Sequence, residues 1–209
     1  MIEIKYDSQK GTGDTNQDFI LCKQLEEGCI LIVLADGMGG LQHGDIAAAT
    51  VAQNIYETFA MHQSDDIKET LEKAFECADT AIADKCRFLH CKMGAAATAL
   101  VIKDDTVHYA WQGNVRLYGK QDCCLIQLTE DHVKNGTNDT FLTRSVNGRG
   151  FRYPISIKET HISEMPILFL CTDGFYQSND GIAFIDGKQL PNTIKELEDD
   201  ASYVLIKLL

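Results

Sequence analysis

The chain has 209 residues, 44% hydrophobic and 24% charged, enough for one domain with a sizeable core and too few for two comfortable ones. Its net charge of −12, from 31 acids against 19 bases, argues against nucleic acid or an anionic membrane surface as a partner, because both are bound through basic patches. The opening residues MIEIKYDSQK carry no basic region ahead of an apolar stretch, and no apolar run approaches the ~18 residues of a membrane span. The sequence therefore predicts a cytoplasmic protein whose eight scattered cysteines are reduced. Cys86, His90 and Cys91 have partial zinc-like spacing, but no second ligand pair follows, and they read as ordinary helix residues.

In chain order, Ile2–Tyr6 and Asp18–Lys23 read as strands. Cys29–Ala35 is a continuous aliphatic run that predicts a buried strand entering a tight turn at Asp36-Gly37. From Asp45 an Ala-rich stretch carries Ala48, Val51, Ile55 and Phe59 at helical spacing. Ser64 is the expected cap of a second helix to about Cys86, with Ile67, Leu71, Ala74, Phe75, Ala78 and Ile82 on one face. The period then changes, and Ala96–Lys103, Thr106–Gln112, Val115–Lys120 and Cys123–Gln127 predict a meander of hairpins. Pro166–Thr172 is a second buried strand ending in Asp-Gly, and Ser202–Leu208 closes the chain. Strands bracketing a helix pair predict an α+β fold: a β-sandwich of two packed, mostly antiparallel sheets flanked by helices, in α-β-β-α layers.

Two apolar strands thus end alike, ILIVLADGMGG at Ile30–Gly40 and ILFLCTDGF at Ile167–Phe175. A carboxylate on a rigid strand end cannot retreat from a cation, and the following Gly allows a turn and brings a carbonyl within reach. The alternative is that Asp-Gly is a common turn. Two occurrences, with further acids, favour a hard-cation site. Dinucleotide and Walker readings fail, since Gly11-Thr12-Gly13 lacks a third glycine at position 16 and no Gly-Lys-Ser/Thr occurs. Asn135-Gly136-Thr137 and Asn138-Asp139-Thr140 match glycosylation sequons, which carry no meaning in a cytoplasmic chain. The isolated His43, His62, His108 and His161 read as surface or strand residues.

Seven elements recur in a fixed order: Asn16-Gln17-Asp18; Ala35-Asp36-Gly37-Met38-Gly39-Gly40 with Gly44-Asp45; Gly94–Ala99; Gly113-Asn114-Val115-Arg116-Leu117-Tyr118; Leu128-Thr129-Glu130-Asp131-His132; Thr172-Asp173-Gly174; and Asp199-Asp200-Ala201-Ser202. In these, over nearly its whole length, the chain resembles the type 2C (PPM) family of metal-dependent serine/threonine protein phosphatases in its bacterial form. The resemblance implies hydrolysis of phosphoserine or phosphothreonine esters in a phosphorylated protein, the product of a Ser/Thr kinase, by a metal-activated water. It implies two Mg²⁺ or Mn²⁺ ions, with Asp36 bridging them, the Gly37 carbonyl on one, and Asp173 and Asp199 on the other. Asp18 would hold a metal-bound water. Such ions suit the task, because phosphate monoester hydrolysis calls for up to ~10²¹-fold acceleration, and carboxylate oxygens suit Mg²⁺ and Mn²⁺.

Three departures stand out. The family's phosphate-gripping arginine falls at Gly13, with Lys10 the nearest upstream base. The Asp that serves a third, looser metal is Asn114. The segments Asp131 to Leu142 and Gly174 to Asp199 are short, so the flap beside the active site is expected to be largely missing from the single domain 1–209. His132 is expected to be structural. These departures keep two other readings open: a catalytically weak or inactive phosphatase-like binding protein, and a phosphatase of small phosphoesters.

Overall fold

The computed structural model describes residues 2–62, 66–121, 124–135 and 140–208. The strands are β1 (Ile2–Gln9), β2 (Asp18–Gln24), β3 (Ile30–Gly37), β4 (Ala95–Lys103), β5 (Thr106–Gln112), β6 (Arg116–Gln121), β7 (Cys124–Gln127), β8 (Val133–Asn135), β9 (Thr140–Leu142), β10 (Ser156–His161), β11 (Ile167–Cys171) and β12 (Ala201–Leu208). One sheet has the order β1-β12-β11-β6-β7 and a second β10-β5-β4-β3-β2, with β8 and β9 a separate pair. Every pairing is antiparallel.

β3 shows why the sandwich forms. Successive strand side chains point to opposite faces. Ile32 and Leu34 pack with Trp111, Leu168, Leu170 and Val204 in the core between the sheets. Leu31, Val33 and Ala35 face the other way, into a core shared with helices α1 (Gly44–Met61) and α2 (Ile67–Leu89). A strand buried on both faces must be apolar without alternation, which is what its sequence shows. The outer face of the first sheet carries Phe169 and Tyr203, covered by Phe175 and Tyr176 of α3 (Asp173–Gln177) and by α4 (Asn179–Ile185). The layers are therefore α-β-β-α, as expected.

Several boundaries differ from the sequence reading. β3 runs on through Asp36 and Gly37, so the tight turn comes after them. The glycines at 37 and 174 answer a close approach: a Cβ at Gly37 would strike the backbone of Gly44, and one at Gly174 the backbone of Asp200. Helix α2 starts at Ile67, where the Asp66 carboxylate accepts hydrogen bonds from the Lys68 and Glu69 N–H groups. Ser64, the expected cap, lies outside the described residues, as do Cys123 and residues 136–139 of the sequons. β10 was not foreseen. It is an edge strand with Lys158 and Glu159 exposed, so it lacks the apolar run that marks a central strand and is defined by its pairing with β5.

Candidate active site

The site is assembled by register. In the β2–β3 ladder Asp18 stands directly opposite Asp36, and on the other side of β3 Asp36 faces Ala96 of β4. Two carboxylates directly opposite one another repel unless something neutralises them. Asp173 arrives from the other sheet, at the point where β11 passes into α3. The adjoining Thr172 hydroxyl donates to Asp18 Oδ2 at 2.9 Å, tying the two sheets together at the cluster. The Asp36 and Asp173 carboxyls lie within hydrogen-bonding reach of each other.

The pair Asp199-Asp200 divides its labour. Asp200 is buried, and its two carboxylate oxygens accept the N–H groups of Gly11 and Gln17 at 2.8 and 2.6 Å. That anchor holds the chain ahead of β12 and leaves Asp199 exposed on the wall of the cleft.

The electrostatics are unfavourable to charge. Burial, reinforced by Asp18, Asp173 and Asp199, holds the Asp36 carboxyl well above the usual carboxylate range. Burial and then Asp199 raise Asp173. Asp18 is pushed up to about 8, chiefly by burial, and its buried Oδ1 has no hydrogen-bond partner. Three carboxyls from two sheets thus meet where none ionises readily without a compensating cation.

These residues floor a cleft of about 600 Å³ whose walls include Asp36, Gly37, Asn114, Asp173 and Asp199. Asp18, opposite Asp36 in the ladder, is not part of the wall. Neither Gly13 nor Lys10 is part of the wall, and the Lys10 ammonium donates to the Gly13 carbonyl at 2.7 Å. Among the described residues the one base on the wall is Arg116. Its guanidinium is committed, with Nη2 2.7 Å from Asp131 Oδ2 and its plane 3.6 Å from the centre of the Tyr176 ring. In the sequence Arg116 and Asp131 fall in separate motifs, and nothing local ties positions 15 residues apart to one another. The Asn114 amide donates to Asp173 Oδ2 at 3.1 Å, so a neutral donor stands beside that carboxylate. His132 is structural: its ring lies parallel to Trp111, and Nδ1 accepts the Gly113 N–H at 3.1 Å.

The fold is shared with bacterial serine/threonine phosphatases. Stp1 from Staphylococcus aureus superposes with a TM-score of 0.85 at 17% identity, covering 100% of this chain and 96% of that one. The S. agalactiae serine/threonine phosphatase gives 0.83 at 19% identity, with 100% of both chains covered. The catalytic domain of PstP, a Mycobacterium tuberculosis phosphatase, in complex with 2 manganese ions gives 0.77 at 19% identity, over 99% of this chain and 97% of that one. No curated protein sequence matches. The family model described as Protein phosphatase 2C matches residues 7–200, and the chain belongs to that family of serine/threonine phosphatases.

Proposed function

We propose that the protein hydrolyses phosphoserine and phosphothreonine esters of a phosphorylated protein, with two Mg²⁺ or Mn²⁺ ions held by Asp36, the Gly37 carbonyl, Asp173 and Asp199. The observation that carries this reading is the convergence of Asp18, Asp36 and Asp173, three carboxyls whose ionisation is opposed together by burial and mutual repulsion. The donor set fits: every candidate ligand is a hard oxygen, as Mg²⁺ and Mn²⁺ prefer. Among the described residues no three Asp, Glu, His or Cys side chains clasp an ion unaided, so water and the Gly37 carbonyl would complete each shell. When bound, such ions neutralise phosphoryl oxygens and lower the pKa of a coordinated water.

The chain's own residues do the positioning. Asp36, fixed on a strand between β2 and β4, cannot swing away from the cleft. Asp18, held by Thr172, would hold a metal-bound water. Asn114 orients Asp173 and supplies no charge, so a third, looser cation would be weakly held. The substrate is read as the product of a Ser/Thr kinase, the location as cytoplasmic, and residues 1–209 as one domain whose flap is largely missing.

A second reading, phosphoprotein binding with little or no turnover, draws on the cleft wall, where the single described base is already paired with Asp131. Hydrolysis of p-nitrophenyl phosphate and a phosphoserine peptide by wild type and Asp36→Asn, with and without Mn²⁺, decides between them. Turnover that needs both Mn²⁺ and Asp36 supports the phosphatase. Its absence in the wild type supports the binding protein.

A further inference from the structure

Against a net charge of −12, the chain's five arginines are unevenly spread, with three of them within the stretch Arg144–Arg152. Arg144, Arg149 and Arg152 line a pocket of about 330 Å³ together with Tyr153 and Gln112. The Tyr153 ring lies 4.7 Å from the Arg144 guanidinium and 5.6 Å from that of Arg152. Among the described residues none of these three arginines is in an ion pair. Gln112 is 1% exposed, and neither its carboxamide nitrogen nor its oxygen has a hydrogen-bond partner. A buried amide N–H₂ without an acceptor is costly, and an anion's oxygens would satisfy it.

The arginine-bearing loop is held in place. The buried Asp79 of α2 accepts the N–H groups of Asn147 and Gly148 on Oδ1, at 3.0 and 2.7 Å, and that of Gly150 on Oδ2 at 2.7 Å. A larger neighbouring pocket of about 770 Å³ shares Arg149 with the arginine pocket and Met38 and Leu142 with the aspartate cleft, so it adjoins both. Its wall adds Lys92.

We infer that the arginine pocket is a second anion site. It takes an anionic side chain of the substrate, a carboxylate or a second phosphoryl group, while the ester to be cleaved lies at the aspartates. Guanidinium matches either anion bidentately, and the loop is pre-organised by Asp79 rather than ordered on binding. The inference rests on the phosphatase reading above for what the cleft accepts. It makes the substrate class a phosphopeptide with an acidic or doubly phosphorylated neighbourhood.

The test uses the full chain and four substrates: p-nitrophenyl phosphate, a phosphoserine peptide with neutral flanks, and the same peptide with added glutamates or an added phosphoserine at a series of spacings. The wild type should prefer the best anionic peptide over the neutral one by about tenfold or more in kcat/KM, as one charge-assisted contact supplies. Preference for both anionic peptides assigns the site to carboxylates as well, and preference for the second phosphoserine alone assigns it to phosphoryl groups; either supports the inference. R149E/R152E should abolish the preference and leave p-nitrophenyl phosphate hydrolysis unchanged. Fluorescence anisotropy of labelled peptides on Asp36→Asn, with and without R149E/R152E, reads the same preference without turnover. An anionic preference in binding, lost in R149E/R152E, sustains the second site even if the wild type hydrolyses nothing. Hydrolysis of p-nitrophenyl phosphate without any peptide preference overturns the site and leaves the phosphatase standing. A preference that survives R149E/R152E overturns it as well.

Discussion

Raising the pH should weaken the metal-free protein, and Asp18→Asn should remove much of that weakness. In the folded chain Asp18 keeps its proton to about 8, against 3.8 for an unperturbed aspartate. Between those values the native state holds a proton that the unfolded chain has released, so stability falls as pH rises, opposite in sign to a salt-bridged aspartate. One retained proton is worth about 1.4 kcal/mol per pH unit, or about 3 kcal/mol between pH 5.5 and 7.5. Asp36 and Asp173 are shifted in the same direction and add to the slope. His132, held down to about 4 chiefly by burial, contributes a slope of opposite sign below about 6.5, which cancels when wild type and mutant are compared. The assay is urea denaturation in chelator at three pH values, with the slope of stability against pH compared between wild type and Asp18→Asn. The mutant's slope should be shallower by about 1.4 kcal/mol per unit. Saturating Mn²⁺ should flatten the wild-type slope and, at 100 times its dissociation constant, add about 2.7 kcal/mol. Parallel slopes for wild type and Asp18→Asn would show that Asp18 ionises normally and that the cluster does not oppose its own charge.

Three further outcomes are expected. Asp173→Asn should leave the melting curve cooperative and reduce Mn²⁺-dependent hydrolysis to below about a tenth of wild type, one lost charge-assisted ligand being worth more than 1.4 kcal/mol; greater retention would mean that Asp173 holds no ion. Asn114→Asp replaces an amide that donates to Asp173 Oδ2 at 3.1 Å with a carboxylate, so it should destabilise the metal-free protein and raise the rate at millimolar Mn²⁺, increasingly as a weak site fills. A metal dependence identical to wild type would reduce Asn114 to a hydrogen-bonding residue. Asp79→Ala strips three loop N–H groups of their acceptor and should cost about 3–5 kcal/mol in urea denaturation, with Asp79→Asn costing less because one oxygen remains. A loss below about 1 kcal/mol would show that the loop is held by other contacts.

Much of the architecture was legible locally. The unbroken apolar run of β3 announced a strand covered on both faces, the 3.6-residue spacing in α1 and α2 announced a helix pair, and the two Asp-Gly endings marked where acids leave rigid strands. What could not be read locally was which groups meet. That Asp18 faces Asp36 depends on a ladder in register, and Asp173 joins them only because the sheets are stacked with β11 opposite that ladder's end. That Asp200 is anchored while Asp199 stays exposed is decided by two N–H groups, of Gly11 and Gln17, far away in the chain. The same holds for Arg116 with Asp131, and for Asp79 beneath the arginine loop.

By itself, then, the sequence determined most of the longer elements, their order and the hard-oxygen character of the candidate site, because period, composition and motif spacing are properties of neighbouring residues. The tertiary structure alone decided which carboxyls repel, which arginine is already paired and which amide is left without a partner. Those depend on distances and dielectric surroundings, and packing sets both between groups that the chain keeps from 15 to 154 residues apart.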